Sequence, residues 1–239
     1  MERRASLPGA DELFRPTGPR PSRSEADVST PGGPAVPDEL TLAQLTELAA
    51  AEDAAMDAVR GRAGVDVAVP SPPVGALLTW LAAAVSARTV VEIGSAAGMT
   101  GLCLLRGMPP RGMLTSIEPD PAIQALASQA FEEAAPPGRV RAIPGDPLEV
   151  LPRLSDHGYD LVVVSRNVDH HELRDHVRRL LRPGGTLVLL GAAVGRGQEL
   201  RSRRAFVQGL IDDEAIHVAV LPLDGGMVLA RFGQSAVEG

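Results

Sequence analysis

VVEIGSAAGMTG, residues 90–101, decides the fold of this chain. From Thr89 to Ile93 the residues are β-branched and apolar except at Glu92, the composition of a strand buried on both faces of a parallel sheet. Gly94, Ala96 and Gly98 then provide small side chains for a sharp turn. Such a turn lets a ligand lie against the backbone, and the first N–H groups of the helix that follows point at whatever is bound. A nucleotide-like ligand is the expectation.

The spacing narrows the ligand. A dinucleotide fingerprint has the form Gly-x-Gly-x-x-Gly, whereas this turn carries Gly94, Ala96, Gly98 and Gly101, with an acid two residues before the first glycine. The pattern acid-x-Gly-x-small-x-Gly resembles the first motif of class I S-adenosylmethionine-dependent methyltransferases. That resemblance implies that the acid, Glu92, faces the methionine part of the cofactor. Glycine-rich turns between a strand and a helix also occur without a ligand, so the rest of the chain has to agree.

Composition sets the outer limits. With 239 residues and 44% hydrophobic content, the chain can bury a full core. A net charge of −7 opposes sequence-independent binding to nucleic acid phosphates. No apolar run approaches the roughly 18 residues that span a bilayer, and the first residues lack the apolar segment of a signal peptide; a cytoplasmic location is expected. The single cysteine, Cys103, excludes an intrachain disulfide and reads as a buried helix thiol. All 23 basic residues are arginine. Without lysine there is no Schiff-base chemistry, no pyridoxal phosphate attachment, no P-loop and no Tyr-x-x-x-Lys dehydrogenase site.

Taken in order, residues 1–38 are rich in Pro, Gly, Ser and mixed charge and are expected to be a disordered tail, with the folded domain at 39–239. A helix capped by Thr41 is expected to run to about Gly61, with Leu42, Leu45, Leu48, Ala49 and Met56 on its apolar side. The prolines at 70–73 should break the chain before a helix at 74–85. Ser71 reads either as a helix cap or as part of a lid over a ligand. After the first strand and its helix, a strand at 113–117 ends in Glu118, about 20 residues beyond the turn. An acid so placed accepts hydrogen bonds from ribose hydroxyls in doubly wound folds. A helix at 121–134, a strand at 139–144 and a helix at 147–154 follow. Asp146 reads equally as an adenine contact or as the cap of that helix. A fourth strand at 159–164, a helix at 172–181, a fifth strand at 186–190 and a helix at 202–213 lead to strands at 217–222 and 227–232. The AspGlyGly turn at 224–226 makes the last pair antiparallel. The predicted fold is α/β, a doubly wound Rossmann-like class I methyltransferase sheet of seven strands with an antiparallel C-terminal hairpin. Its ligand should lie over the carboxyl ends of the first, second and fourth strands.

From residue 71 to residue 232 the chain resembles the catechol and caffeoyl-coenzyme A type O-methyltransferases, through PPVGALL, VVEIGSAAGMTGLCLL, TSIEPDP, GDPLEVLPRL, YDLVVV and LLRPGGTLVL. The resemblance implies S-adenosyl-L-methionine as cofactor and contacts to it from Pro70, Ser71, Glu92, Gly94, Ser95, Thr100, Glu118 and Asp146, with Ser165 also in the cofactor-binding set. It breaks in the catalytic half. Family members read YDLVFIDADK after the fourth strand, where an acid holds a divalent metal and the lysine helps to deprotonate the acceptor. This chain reads YDLVVVSRNV, with Ser165 in the acid's place and Val168 in the lysine's. Gly191 and Ala192 stand where the family has two further metal ligands, Asp-Asn. No metal site is therefore expected, since Mg²⁺ needs oxygen ligands that commonly include carboxylates.

Three functions follow. The first is O-methyl transfer to a small hydroxylated acceptor without a divalent metal, with His170 or His171 as the candidate base. The second is a non-catalytic S-adenosylmethionine-binding regulator or partner subunit. The third, a dinucleotide-dependent oxidoreductase, is opposed by the glycine spacing, the terminal hairpin and the missing lysine. The expected partner is a small-molecule acceptor rather than nucleic acid or membrane, and a homodimer is left open.

Overall fold

The computed structural model describes residues 52–65, 67–165 and 170–233, together with Gln44 and Glu47. The boundary expected between a tail at 1–38 and a domain at 39–239 lies outside the described residues, as do Leu42, Leu45, Leu48, Ala49 and residues 166–169.

The strands are β1 (Thr89–Ile93), β2 (Met113–Glu118), β3 (Val140–Pro144), β4 (Tyr159–Val164), β5 (Leu181–Leu190), β6 (Ile216–Leu221) and β7 (Met227–Phe232). They form one sheet in the order β3-β2-β1-β4-β5-β7-β6. Neighbours from β3 to β5 are parallel, while β7 runs antiparallel to both β5 and β6. The seven-stranded doubly wound sheet with its terminal hairpin is the fold expected.

Strand periodicity divides the core in two. Val90, Leu114, Leu161, Val163 and Val188 face α1 (Ala54–Ala63), α2 (Pro72–Ala84), α3 (Met99–Gly107) and α4 (Pro121–Ala134). Val91, Ile93, Ile117, Val162 and Val164 face the opposite way. Beyond the short α5 (Pro147–Val150), that second face is covered by α6 (His170–Leu180) and α7 (Gly197–Ile211), which contribute Leu173, Val177, Leu180, Phe206 and Leu210. Because successive strand residues point to opposite faces, a central strand covered on both sides has to be apolar at nearly every position. Glu92 is the exception.

Local chemistry moves several expected boundaries. Asp53 accepts from the N–H groups of Ala55 at 3.1 Å and Met56 at 3.0 Å, so α1 starts at its own cap and the single helix expected from Thr41 to Gly61 is divided. Pro72 and Pro73 open α2 rather than break it, because proline's fixed φ suits the first helical turn. The segment expected as helix at 147–154 is α5 followed by a 3-10 turn, Leu151–Arg153. β5 begins at Leu181 rather than 186, and a register shift between Tyr159 and Leu161 accommodates the ArgProGlyGly run.

A buried acid fixes the entry to the central strand. Asp160, 3% exposed, accepts at Oδ2 from the N–H groups of Arg88 at 2.5 Å and Thr89 at 2.9 Å. Its Oδ1 pairs with Arg182 at 2.7 Å. Removing the carboxylate would leave two backbone donors without their acceptor, so Asp160→Ala is expected to lower unfolding free energy by about 2–4 kcal/mol in urea denaturation. A loss below about 0.5 kcal/mol, the range of ordinary surface changes, would show that these bonds do not hold β1 to β4.

Candidate active site

The parallel strands bring their carboxyl ends to one edge, where backbone bonds tie the following loops together. Gly94 N–H donates to Ile117 O at 2.9 Å, Ser165 N–H to Ile93 O at 2.9 Å and Gly145 N–H to Glu118 O at 3.1 Å. The residues that follow β1, β2, β3 and β4 therefore meet, although they are scattered over some 70 residues of sequence.

The turn after β1 has an unusual backbone. Gly94, Ala96, Ala97 and Gly98 all have positive φ, at 83°, 46°, 56° and 92°. Glycine adopts this region freely, but each alanine there costs roughly 1–3 kcal/mol. Gly98 is also required by space, since a Cβ on it would lie 2.8 Å from Ala130 Cβ on α4. The turn is thus held against the sheet by packing on one side and by a carboxylate on the other.

That carboxylate is Glu118. Its Oε2 accepts from Ser95 N–H at 3.0 Å and Ser95 Oγ at 3.2 Å, and its Oε1 from Asp120 N–H at 3.1 Å. Only 1% of the residue is exposed. The two motifs read from the sequence are therefore in direct contact.

Glu92 is fully buried. Ser116 Oγ donates to its Oε1 at 2.6 Å, while its Oε2 finds no partner among the described residues. Burial pushes its carboxyl up from the ordinary 4.5 to about 8, against the Ser116 hydrogen bond and with help from the nearby Glu118 charge. The Thr100 hydroxyl, at the start of α3, is likewise buried without a partner among the described residues. Native interiors rarely leave polar atoms so. Two such oxygens flanking a strained glycine turn fit a ligand that carries both a cationic group and hydrogen-bond donors and acceptors, as S-adenosylmethionine does.

The other expected contacts are distributed around this centre. Ser71 occupies the cap position of α2, but its side chain makes no capping bond; its N–H donates to Asp224 Oδ2 at 2.7 Å. Pro70 is buried and its carbonyl accepts from Arg60 Nη2 at 2.8 Å. Asp146 accepts from Leu148 N–H at 2.8 Å, which is the capping alternative. Ser165 donates its hydroxyl to Gly94 O. His170 and His171 are the first residues of α6. Cys103 is buried on α3, and burial pushes its thiol up to about 12, which leaves it unreactive.

The residues in the family's metal positions do not fit a metal. The Ser165 hydroxyl is engaged with the turn, and Gly191 O accepts from Arg203 Nη1 at 2.5 Å. Among the described residues no group of His, Cys, Asp or Glu is arranged to hold an ion. Sequence reading missed Ser116, Arg203 and Asp224. Ser116 lies in an apolar strand as the direct register partner of Glu92, and a hydroxyl in that apolar run was the available signal. Arg203 and Asp224 act through contacts that leave no local pattern.

The fold and edge geometry define a class I methyltransferase, and comparison with known proteins gives the family. The O-methyltransferase family model matches residues 62–232. A protein of Mycobacterium sp. (strain JLS), an O-methyltransferase by name, is 38% identical over 226 residues, covering 90% of this chain and 96% of its own. A crystal structure from Corynebacterium glutamicum matches with 31% identity and a TM-score of 0.72, covering 80% of this chain and 95% of that one. The O-methyltransferase TomG from Streptomyces achromogenes, involved in tomaymycin synthesis and crystallised with S-adenosylmethionine, matches with 26% identity and a TM-score of 0.71, over 80% and 95%. The chain belongs to the O-methyltransferase family, whose methyl donor is S-adenosylmethionine. The oxidoreductase reading is thereby set aside.

The raised Glu92 carboxyl has a measurable consequence in the ligand-free protein. Held as a neutral acid, it contributes stability that is fully present below its ordinary 4.5 and is lost as pH rises through about 8. Wild type should therefore lose stability relative to Glu92→Gln as pH rises from 5, most steeply between the two values, at about 1.4 kcal/mol per pH unit near pH 6–7, with the loss levelling off above about pH 8. Urea denaturation of both proteins across the series checks this, and a constant difference would contradict it.

Proposed function

We propose that the protein transfers a methyl group from S-adenosylmethionine to the hydroxyl oxygen of a small acceptor, without a divalent metal, in the cytoplasm, as a monomer or homodimer. The observation that carries the reading is the pair of buried oxygens on Glu92 and Thr100, unpartnered among the described residues, beside the strained turn, within a family of O-methyltransferases. Pro70, Ser71, Gly94, Ser95 and Asp146 complete the proposed cofactor contacts. The net charge of −7 supports a small-molecule acceptor over nucleic acid. No helix among the described residues is long and apolar enough to cross a membrane.

When bound, the cofactor supplies an electrophilic methyl group on sulfur. Glu92 offers a carboxylate to its positive charge, and Glu118, at the end of β2, is the proposed partner of its ribose hydroxyls. The bound cofactor would supply its methyl group to the acceptor oxygen, whose hydroxyl proton would pass to a base, for which His170 and His171 are the candidates. Holding donor and acceptor in line can supply roughly 7–11 kcal/mol of the barrier reduction, so metal activation of the acceptor is not obligatory.

Turnover of S-adenosylmethionine with a panel of phenols and catechols tests the reaction. Activity should survive EDTA, because Ser165 and Gly191 are engaged elsewhere. Loss of activity with EDTA and recovery with Mg²⁺ would overturn the metal-free mechanism. Glu118→Ala should weaken S-adenosylhomocysteine binding about tenfold or more in calorimetry, by loss of charged hydrogen bonds. Unchanged affinity in a folded variant would remove the ribose assignment.

A further inference from the structure

Pro70 and Ser71 share one peptide unit, and charged side chains hold both of its polar atoms. Arg60 Nη2 donates to Pro70 O at 2.8 Å, and Ser71 N–H donates to Asp224 Oδ2 at 2.7 Å. A cation at the oxygen and an anion at the N–H match the direction of the peptide dipole, so the pair favours one orientation of this peptide and opposes its reversal. Arg60 is itself ion-paired with Glu52. Its guanidinium is held above its ordinary value by the Glu52 hydrogen bond first, with the Asp224 charge also contributing.

Asp224 reaches Ser71 across 153 residues of sequence. It stands in the β6–β7 turn with φ 44°, followed by Gly225 at 76° and Gly226 at 98°. Because Met227 pairs with Leu190 in antiparallel register, that turn lies at the carboxyl end of β5, on the same edge as Glu118 and the glycine turn. It is bonded to the loop after β5, where Ala192 and Ala193 N–H groups donate to Gly226 O and Gly225 O, each at 2.8 Å. Arg203, 5% exposed, closes that loop on itself by donating to Gly191 O at 2.5 Å and Val194 O at 2.6 Å. A continuous set of hydrogen bonds thus runs from α7 through the loop and the hairpin turn to the start of α2.

We propose that Asp224 is a positioning residue which, with Arg60, fixes the Pro70–Ser71 peptide on the rim of the carboxyl edge and thereby slows departure of the cofactor. This rests on the cofactor site described under the proposed function. Asp224 makes no contact with the reacting atoms. Its role is to keep a segment contributed by the amino-terminal side of the fold seated beside loops contributed by the carboxyl-terminal side.

Two variants separate the charge, the acceptor and the backbone. Asp224→Gly keeps the left-handed conformation and removes the acceptor, whereas Asp224→Asn keeps an acceptor without charge. In stopped-flow displacement of S-adenosylhomocysteine, Asp224→Gly should release ligand about fivefold to tenfold faster than wild type, and Asp224→Asn by a smaller factor. The thermal transition of the ligand-free variants should stay close to that of wild type, since Asp224 is exposed. Unchanged release from folded Asp224→Gly overturns the proposal, as does a large fall in the transition of both variants, which would make the contact one of stability alone. Amide hydrogen exchange over residues 67–77 in the ligand-free proteins should be faster in Asp224→Gly, and equal exchange also overturns it. Should wild type bind no S-adenosylhomocysteine, the cofactor reading falls while the exchange comparison still decides whether Asp224 holds the peptide.

Discussion

A carboxyl group at the penultimate position of β1, fully buried and, among the described residues, bonded through only one of its oxygens, is the constraint on which this site depends. Burying an ionised carboxylate without compensation is costly enough that the group takes up a proton instead. In Glu92 this means that the ligand-free protein carries a neutral acid near neutral pH. A cation arriving beside it reverses the balance, since an opposite charge favours ionisation. The residue that is least comfortable in the core is therefore the one best suited to a sulfonium ligand.

The turn beside Glu92 is also unfavourable by itself and is held by its surroundings. Two alanines with positive φ cost roughly 1–3 kcal/mol each, and the Ser95–Glu118 hydrogen bonds, at about 1.5–3 kcal/mol for a charged acceptor, are of the same order. Glu118 thus secures the backbone of the first motif from the end of the second strand. The residue has a double use: the acid proposed to receive the ribose also shapes the loop proposed to receive the rest of the cofactor.

Much of the fold was legible because its signals are local. The strand at Thr89–Ile93, the helix at Pro121–Ala134 and the strands at Tyr159–Val164 and Met227–Phe232 have the bounds that composition and turn residues predict. The errors lie where two local rules compete. Proline was read as a break at Pro72 and Pro73, where it starts α2, and the Pro-Gly-Gly run was read as a loop where the sheet absorbs it as an irregularity of β5. Glu92 was added through the resemblance of its motif, while Glu118 and the glycine turn could be paired from spacing. Asp224, Arg203 and Asp160 could not, because each acts on backbone groups brought close only by the completed sheet. Arg203 in particular gives the loop after β5 an organising cation from the protein itself, in the region where the resembling family places metal ligands.

Coupling between ligand charge and Glu92 ionisation is measured directly by proton counting. Titration calorimetry of S-adenosylmethionine at pH 7, repeated in buffers of different ionisation enthalpy, gives the number of protons released on binding. Release approaching one proton by wild type, and close to none by Glu92→Gln, is the expected result. Equal release by the two proteins, or binding by wild type with no proton released, would contradict a neutral Glu92 that waits in the free site for a cationic ligand.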